Sequence, residues 1–365
     1  MAKILVSLIS DQTIPNVLLI RDLADMERHI FITTHKMEQQ KKSDWIMDAA
    51  EIPSDKCLKV EVVEDSLADI EDKLKEIDFD DDDEFFVNLT GGTKIMSIGV
   101  YNFFRQRRSE IYYIPIGKNV YRKIFPEVKN REMLIHHRVG IAEYLKSYGI
   151  TVVKKKNLNS LVKPIDYTKY FFNEFLNASP DDLSLVNRLR KERSKKRILT
   201  AGIENLDTYL HKIQFPNKEK GELDKDEIKY LTGEWFEEYV YSLLKKTLKL
   251  NEQAIAMDIN IQRQNVDNEF DVMFTADNSL HVIECKSFIY DEDTGKNILN
   301  ESLYKLAALE RDFGLRVKSY IFTLSERGNE KENIKPSFTD RSNLLRITIA
   351  DRKKILEDPE NLLSK

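Results

Sequence analysis

The stretch HVIECKS at 281–287 places Glu284 and Lys286 two residues apart in an apolar run. Side chains alternate along a strand, so this acid and this lysine share one face while Ile283 and Cys285 share the other. Asp271, in NEFDVMF thirteen residues before Glu284, belongs to the preceding strand-like run. The short turn ADNS (276–279) between the two runs predicts a hairpin, across which opposed and diagonal side chains meet. Carboxylates presented together repel unless a cation lies between them. Hard ions such as Mg²⁺ or Mn²⁺ take oxygen ligands and retain waters, so two or three carboxylates suffice. Glu237, in the helical GEWFEEYVYSLLKKTL (233–248), is placed to complete such a shell. Such an ion lowers the pKa of a water and stabilises charge on a phosphoryl oxygen. The lysine beside it orients that water or offsets charge growing in the transition state. The competing reading is a satisfied ion pair on an edge strand.

The elements that must position these groups fall into two domains and a connector. A chain of 365 residues exceeds one ordinary core. Over its first 125 residues strand-like and helix-like patches alternate: KILVSLIS, HIFITT, LKVEVVE, FFVNLT and EIYYIPIG, with helical stretches between them. That order predicts right-handed crossovers and a mainly parallel, doubly wound sheet. The chain divides into 1–130, a helical connecting region at 131–224, and a C-terminal α/β domain at 225–365. DFDDDDEF (78–85) reads as a solvated loop, because consecutive carboxylates lack the alternating spacing of a calcium loop. RLRKERSKKR (188–197) holds seven basic residues in ten. Such a block is either a solvated helix or a strip that contacts phosphates near an active site.

Two loops fall at the carboxyl ends of strands in the first domain, where doubly wound sheets bind ligands. Ser10, Asp11, Gln12 and Thr13 follow the first strand. Gly91, Gly92, Thr93 and Lys94 follow the fourth, where glycines permit close backbone approach and a helix start favours anions. Neither loop is a Walker or dinucleotide fingerprint. Net charge is −5, so any basic binding surface is local. Two cysteines exclude a disulfide framework or a cysteine-rich zinc site. Absence of a long apolar stretch or a leader predicts no membrane span and a cytoplasmic location.

Glu237, Asp271, Glu284 and Lys286 together resemble the PD-(D/E)xK nuclease superfamily: a helix with Glu, a strand with Asp, and a strand ending in (D/E)-x-K. One departure is Phe270 where the motif name has proline. SDQT and TGGTK in that order resemble the CRISPR-associated Rossmann fold, the CARF domain, over roughly 1–130. The nuclease resemblance covers roughly 225–340, and VGIAEYLKSYGI (139–150) is similar to the connecting element of one subfamily. The whole chain resembles the CARF nucleases of type III CRISPR defence. That resemblance implies a homodimer that binds cyclic oligoadenylate, usually the tetra-adenylate, and then cuts DNA and/or RNA with Mn²⁺ or Mg²⁺. It assigns the messenger to Ser10–Thr13 and Gly91–Lys94, catalysis to Glu237, Asp271, Glu284 and Lys286, and the metal to the three acids. The alternative is a non-enzymatic sensor that uses the basic strip on DNA as a transcription regulator.

Overall fold

The computed structural model describes residues 1–129, 131–291, 296–328, 330 and 333–363. Seven strands form the first sheet: β1 (Lys3–Leu8), β2 (Arg28–Thr33), β3 (Cys57–Glu61), β4 (Glu84–Asn88), β5 (Ser109–Tyr113), β6 (Val120–Phe125) and β7 (Glu132–Leu134). Their order is β3-β2-β1-β4-β5-β6-β7. The first five pair in parallel, and β6 and β7 extend the edge antiparallel. β1 and β2 are buried along all but their first residue, as expected of near-continuous apolar runs covered on both faces. Helices α1 (Ile14–Asp22) and α2 (Lys94–Phe104) begin just after the two candidate ligand loops. In the acidic loop at 78–85, Asp83 is buried, and its carboxylate accepts from the Ala2 and Asp80 backbone N–H groups at 2.9 and 3.1 Å. One acid of that loop therefore pins the chain start and is not solvated.

A second, six-stranded sheet carries the other domain. Its strands are β8 (Thr151–Lys156), β9 (Ile255–Arg263), β10 (Val266–Ala276), β11 (Ser279–Lys286), β12 (Val317–Thr323) and β13 (Thr348–Ala350), ordered β13-β12-β11-β10-β9-β8. β9, β10 and β11 form an antiparallel meander, and β11–β12–β13 run in parallel. The β10–β11 turn uses Asp277 and Asn278, both left-handed (φ 48° and 55°), the conformation a two-residue hairpin loop needs. The segment read from sequence as a helical connector contributes β8, which pairs antiparallel with β9. TVVKKK hides this role because an edge strand needs little apolar content and tolerates lysine.

The two sheets share one core. α3 (Ile141–Lys146) stands between them, and a single apolar cluster runs from Leu5, Val17 and Phe31 through Tyr144 and Tyr148 to Phe270, Leu280 and Phe313. Tyr144 is fully buried, and its hydroxyl donates to the Phe313 carbonyl at 2.9 Å. On the far face of the second sheet, Ile283 and Cys285 of β11 pack in a cluster with Trp235 and Phe322. That cluster also takes in α4 (Ile165–Leu176), α5 (Pro180–Arg190) and α6 (Trp235–Thr247). α6 is tied to α4 by Glu238, a buried carboxylate that accepts from the Val162 N–H at 2.8 Å and the Thr168 hydroxyl at 3.1 Å.

Tyr144→Phe removes the donor that satisfies a buried carbonyl, so unfolding free energy should fall by about 1–3 kcal/mol. Urea unfolding should remain one transition with an unchanged slope, because the apolar cluster makes the two sheets one cooperative unit; two resolved transitions would contradict it. Burial pushes the Glu238 carboxyl up to about 7. The folded protein therefore holds this proton more tightly than the unfolded chain. Its contribution to stability should decline as pH rises from about 4.5 to about 7 and be level above that. Glu238→Gln should flatten this decline and raise stability at pH 8 by about 1–3 kcal/mol, read from urea midpoints across pH.

Candidate active site

β10 and β11 bring the acid–lysine set together. Val272 pairs with Ile283, which places Asp271 beside Glu284 across the hairpin. One Asp271 carboxylate oxygen (Oδ2) accepts from the Cys285 N–H at 2.6 Å and from Lys286 Nζ at 3.2 Å. Lys286 Nζ also donates to Glu284 Oε2 at 2.9 Å. Alternation along β11 does what its spacing predicted: Leu280 and Val282 pack in the shared core, while Ile283 and Cys285 face α6.

Glu237 enters from the first turn of α6, reached through a kink at Gly233 (φ 157°). It shares a cavity of about 620 Å³ with Cys285 and Lys286. Burial, then the Asp271 carboxylate, then Glu234 hold the Glu237 carboxyl well above its usual range. Asp271 is also raised, chiefly by burial and despite Lys286. Glu284, 2% exposed, is instead lowered, because the charges of Lys286 and Lys305 together outweigh its burial. Lys286 is raised by Asp271 and Glu284.

Lys305 is a group the sequence did not single out. It lies on α7 (Leu299–Glu310) and donates to Glu284 Oε1, so each oxygen of that carboxylate has its own lysine. The available signal was a lysine on the helix after the E-x-K strand, with nothing in its spacing to choose it.

The basic strip meets the same cavity. Arg188, Arg190, Lys191 and Arg193 line it with Glu237 and Lys286. Arg190 also lies over the Phe288 ring, 4.7 Å from its centroid, which fixes it at the rim. Among the described residues no three His, Cys, Asp or Glu side chains form a ready-made metal cage. The donor set is nonetheless oxygen-only, with Asp271 and Glu237 repelling each other in a half-buried site. A hard divalent cation suits that chemistry, since it takes few protein oxygens and completes its shell with water.

At the front of the first sheet, Ser10, Gln12 and Gly91 line a cavity of about 190 Å³, together with Thr90 and Tyr113. Gly91 is left-handed (φ 125°), and a Cβ there would lie 2.9 Å from the Leu8 carbonyl and 3.0 Å from Ser10 Oγ. The glycine therefore lets the two loops abut. A buried amide pair missed in the sequence locks them: Asn88 donates to Asn16 Oδ1 at 2.7 Å, and Asn16 donates to the Leu8 carbonyl at 3.0 Å. Asn within the apolar FFVNLT was its signal. Thr13 is fully buried, and its hydroxyl donates to the Ser147 carbonyl. Thr93 caps α2, accepting from the Met96 N–H, and its hydroxyl donates to the Glu64 carbonyl at 2.6 Å. These two threonines shape the loops. Asp11 is exposed, 3.6 Å from Lys42 Nζ, and Lys94 is exposed on the first turn of α2.

Comparison with known proteins matches each domain. Residues 4–144 match the family model of the Card1 CARF domain, and 224–355 that of the Card1-like endonuclease domain. No curated protein matches the sequence. Among solved structures, Can2 from Sulfobacillus thermosulfidooxidans in complex with cyclic tetra-adenylate is 23% identical, with TM-score 0.72 over 98% of this chain and 96% of that one. Protein VC1899 from Vibrio cholerae is 19% identical, with TM-score 0.74 over 99% and 97%. A type III CRISPR defence DNA nuclease activated by cyclic oligoadenylate is 14% identical, with TM-score 0.52 over 94% of this chain and 52% of that one. At these identities the structures speak for a shared fold, and the family models speak for the domains. The chain thus joins a Card1-type CARF domain to a Card1-like endonuclease domain.

Proposed function

We propose that this protein is a metal-dependent nuclease that cuts DNA and/or RNA in type III CRISPR defence once a cyclic oligoadenylate, cyclic tetra-adenylate in the simplest case, occupies its CARF loops. The observation that carries this reading is that Glu237, Lys286 and four of the strip's seven basic residues line one cavity. A solvated edge-strand ion pair needs no such companions. A DNA-binding regulator needs no buried acids behind its basic strip.

Glu237, Asp271 and Glu284 are the residues that would hold Mn²⁺ or Mg²⁺. When bound, that ion neutralises charge on a phosphoryl oxygen and acidifies a water. Lys305 keeps Glu284 ionised by holding its outer oxygen. Lys286 Nζ, shared between Asp271 and Glu284, meets negative charge growing on the phosphate. Arg188, Arg190, Lys191 and Arg193 engage flanking phosphates. The likeness to Can2 bound to cyclic tetra-adenylate supports the messenger reading. Its place would be the cavity lined by Ser10, Gln12 and Gly91, with Asp11 and Lys94 on the flanking loops and Gly92, Thr13 and Thr93 shaping them. A homodimer fits this site, because one twofold axis can bisect a cyclic tetranucleotide and place it across two copies of the loops. The protein would then act in the cytoplasm on invading nucleic acid.

Purified protein with Mn²⁺ or Mg²⁺, labelled DNA and RNA, and each cyclic oligoadenylate tests the reading directly. Asp271→Asn and Glu284→Ala should abolish cutting while leaving cyclic tetra-adenylate binding intact. Lys286→Ala should lower turnover by about 10²–10³-fold. Wild-type cleavage in these variants would remove the site from the acid–lysine set. Neutralising Arg188, Arg190, Lys191 and Arg193 together should raise KM and flatten the dependence of substrate affinity on salt, by about 0.7–0.9 in the log–log slope for each phosphate no longer neutralised.

A further inference from the structure

The cavity at the carboxyl ends of β1 and β4 is not built by the CARF domain alone. Leu315 and Arg316 line it beside Ser10, Gln12, Thr90 and Gly91. Both residues sit in the turn that leads into β12 of the nuclease sheet. The Gln12 side-chain carbonyl (Oε1) accepts from the Leu315 backbone N–H at 2.8 Å and from the Tyr148 hydroxyl at 3.4 Å. A residue assigned by its loop to the ligand is thus bonded to the other domain.

Arg316 is 5% exposed. Its Nη2 donates to the carbonyls of Lys118 and Pro115, at 2.7 and 3.3 Å, in the turn after β5. Its Nη1 is buried and has no hydrogen-bond partner among the described residues. The groups that act on its charge are the phenols of Tyr144 and Tyr148, not carboxylates. A guanidinium does not shed its proton to escape burial, so a buried one without a counter-ion is costly unless an anion meets it. Phosphate and carboxylate oxygens are the acceptors its planar fork matches. The cavity's other walls mix polar Ser10, Gln12 and Thr90 with apolar Ile14, Ile114 and Ile116, so a cyclic oligonucleotide can set its bases on the apolar side while a phosphodiester supplies that charge and that acceptor together.

We propose that Arg316, a residue of the nuclease domain, belongs to the messenger site, where its guanidinium shifts on binding so that the sealed, unpartnered Nη1 donates to a phosphodiester oxygen of the bound cyclic oligoadenylate. The contact deepens the function proposed above and rests on it. It also gives binding a direct mechanical path. Arg316 precedes β12, and Val317 opens a parallel ladder with Leu280 that continues to Glu284 opposite Ile321 and Lys286 opposite Thr323. From Arg316 to Thr323 is about 23 Å of extended strand. The messenger would therefore pull on one end of the strand whose other end flanks the acid–lysine pair. A ligand shifts an equilibrium only by binding its two states differently, and a contact that spans both domains changes when they move against each other.

The test is calorimetric titration of wild type, Arg316→Gln and Arg316→Lys with cyclic tetra-adenylate over a range of salt, with hydrogen exchange of the wild type in parallel. Arg316→Gln should bind about ten- to a hundred-fold more weakly, with a log–log salt slope smaller by the equivalent of about one phosphate. Arg316→Lys should keep the wild-type slope at intermediate affinity, which a merely structural arginine would not produce. In wild type, the ligand should slow amide exchange at 314–318. Variants that match wild type in affinity and slope, or wild-type binding with exchange at 314–318 unchanged, would overturn the contact while leaving the messenger reading in place. A wild type that binds no cyclic oligoadenylate of any ring size would sink the messenger reading and the contact with it.

Discussion

Carboxylates on neighbouring strands cannot be packed into a protein without cations, and the nuclease domain is organised around that constraint. Asp271 and Glu284 meet because a two-residue hairpin sets their register. Lys286 bridges them, and Lys305 arrives from α7 to take the remaining Glu284 oxygen. The result is asymmetric. Glu284, with two lysines, stays ionised, whereas Asp271 and Glu237 are held toward the protonated form by burial and by a neighbouring carboxylate, Glu284 for the first and Asp271 for the second. A site with one firmly charged acid and two reluctant ones is short of positive charge where a divalent cation would supply it.

The same constraint explains the position of the basic strip. α5 ends at Arg190, and the residues at its end and just beyond carry positive charge along the cavity that Glu237 and Lys286 also line. Nucleic acid is repelled by the acids that must process it, so local cations have to deliver it. With a net charge of −5, the rest of the surface gives no such help. In the function proposed above, the strip would contribute to recognition at the site itself and not at a separate surface.

What the sequence exposed and what it concealed divide along one physical line. Glu284 and Lys286 were legible because strand alternation is a local rule, and Asp271 because a hairpin turn needs only a few residues to declare itself. The alternating order of the first domain was legible for the same reason. β8 was not, since TVVKKK is exposed and its strand character comes from pairing with β9, about a hundred residues away. Lys305 and Arg316 were not, because each acquires its role from a partner on another element. Thr13 and Thr93 were read by loop position as ligand contacts, while the structure directs their hydroxyls to backbone carbonyls. Residue type and loop position indicate where a ligand site is. Which side chains are already committed is a tertiary fact.

The shared core bears on how such a protein can be switched. Two domains joined by a flexible linker would need a docking event to communicate. Here Leu5, Tyr144, Leu280 and Phe313 belong to one apolar cluster, so the sheets cannot separate without exposing it. Close-packed interiors favour discrete rearrangements over continuous bending. Movement within one chain is therefore limited to small slides at polar seams such as Gln12 on Leu315 and Arg316 on the β5–β6 turn. Larger movement would have to occur between the two chains of the homodimer proposed above. A symmetric ligand placed across two CARF domains is suited to drive it, since it biases both copies equally and each rigid chain carries that bias to its own acid–lysine set.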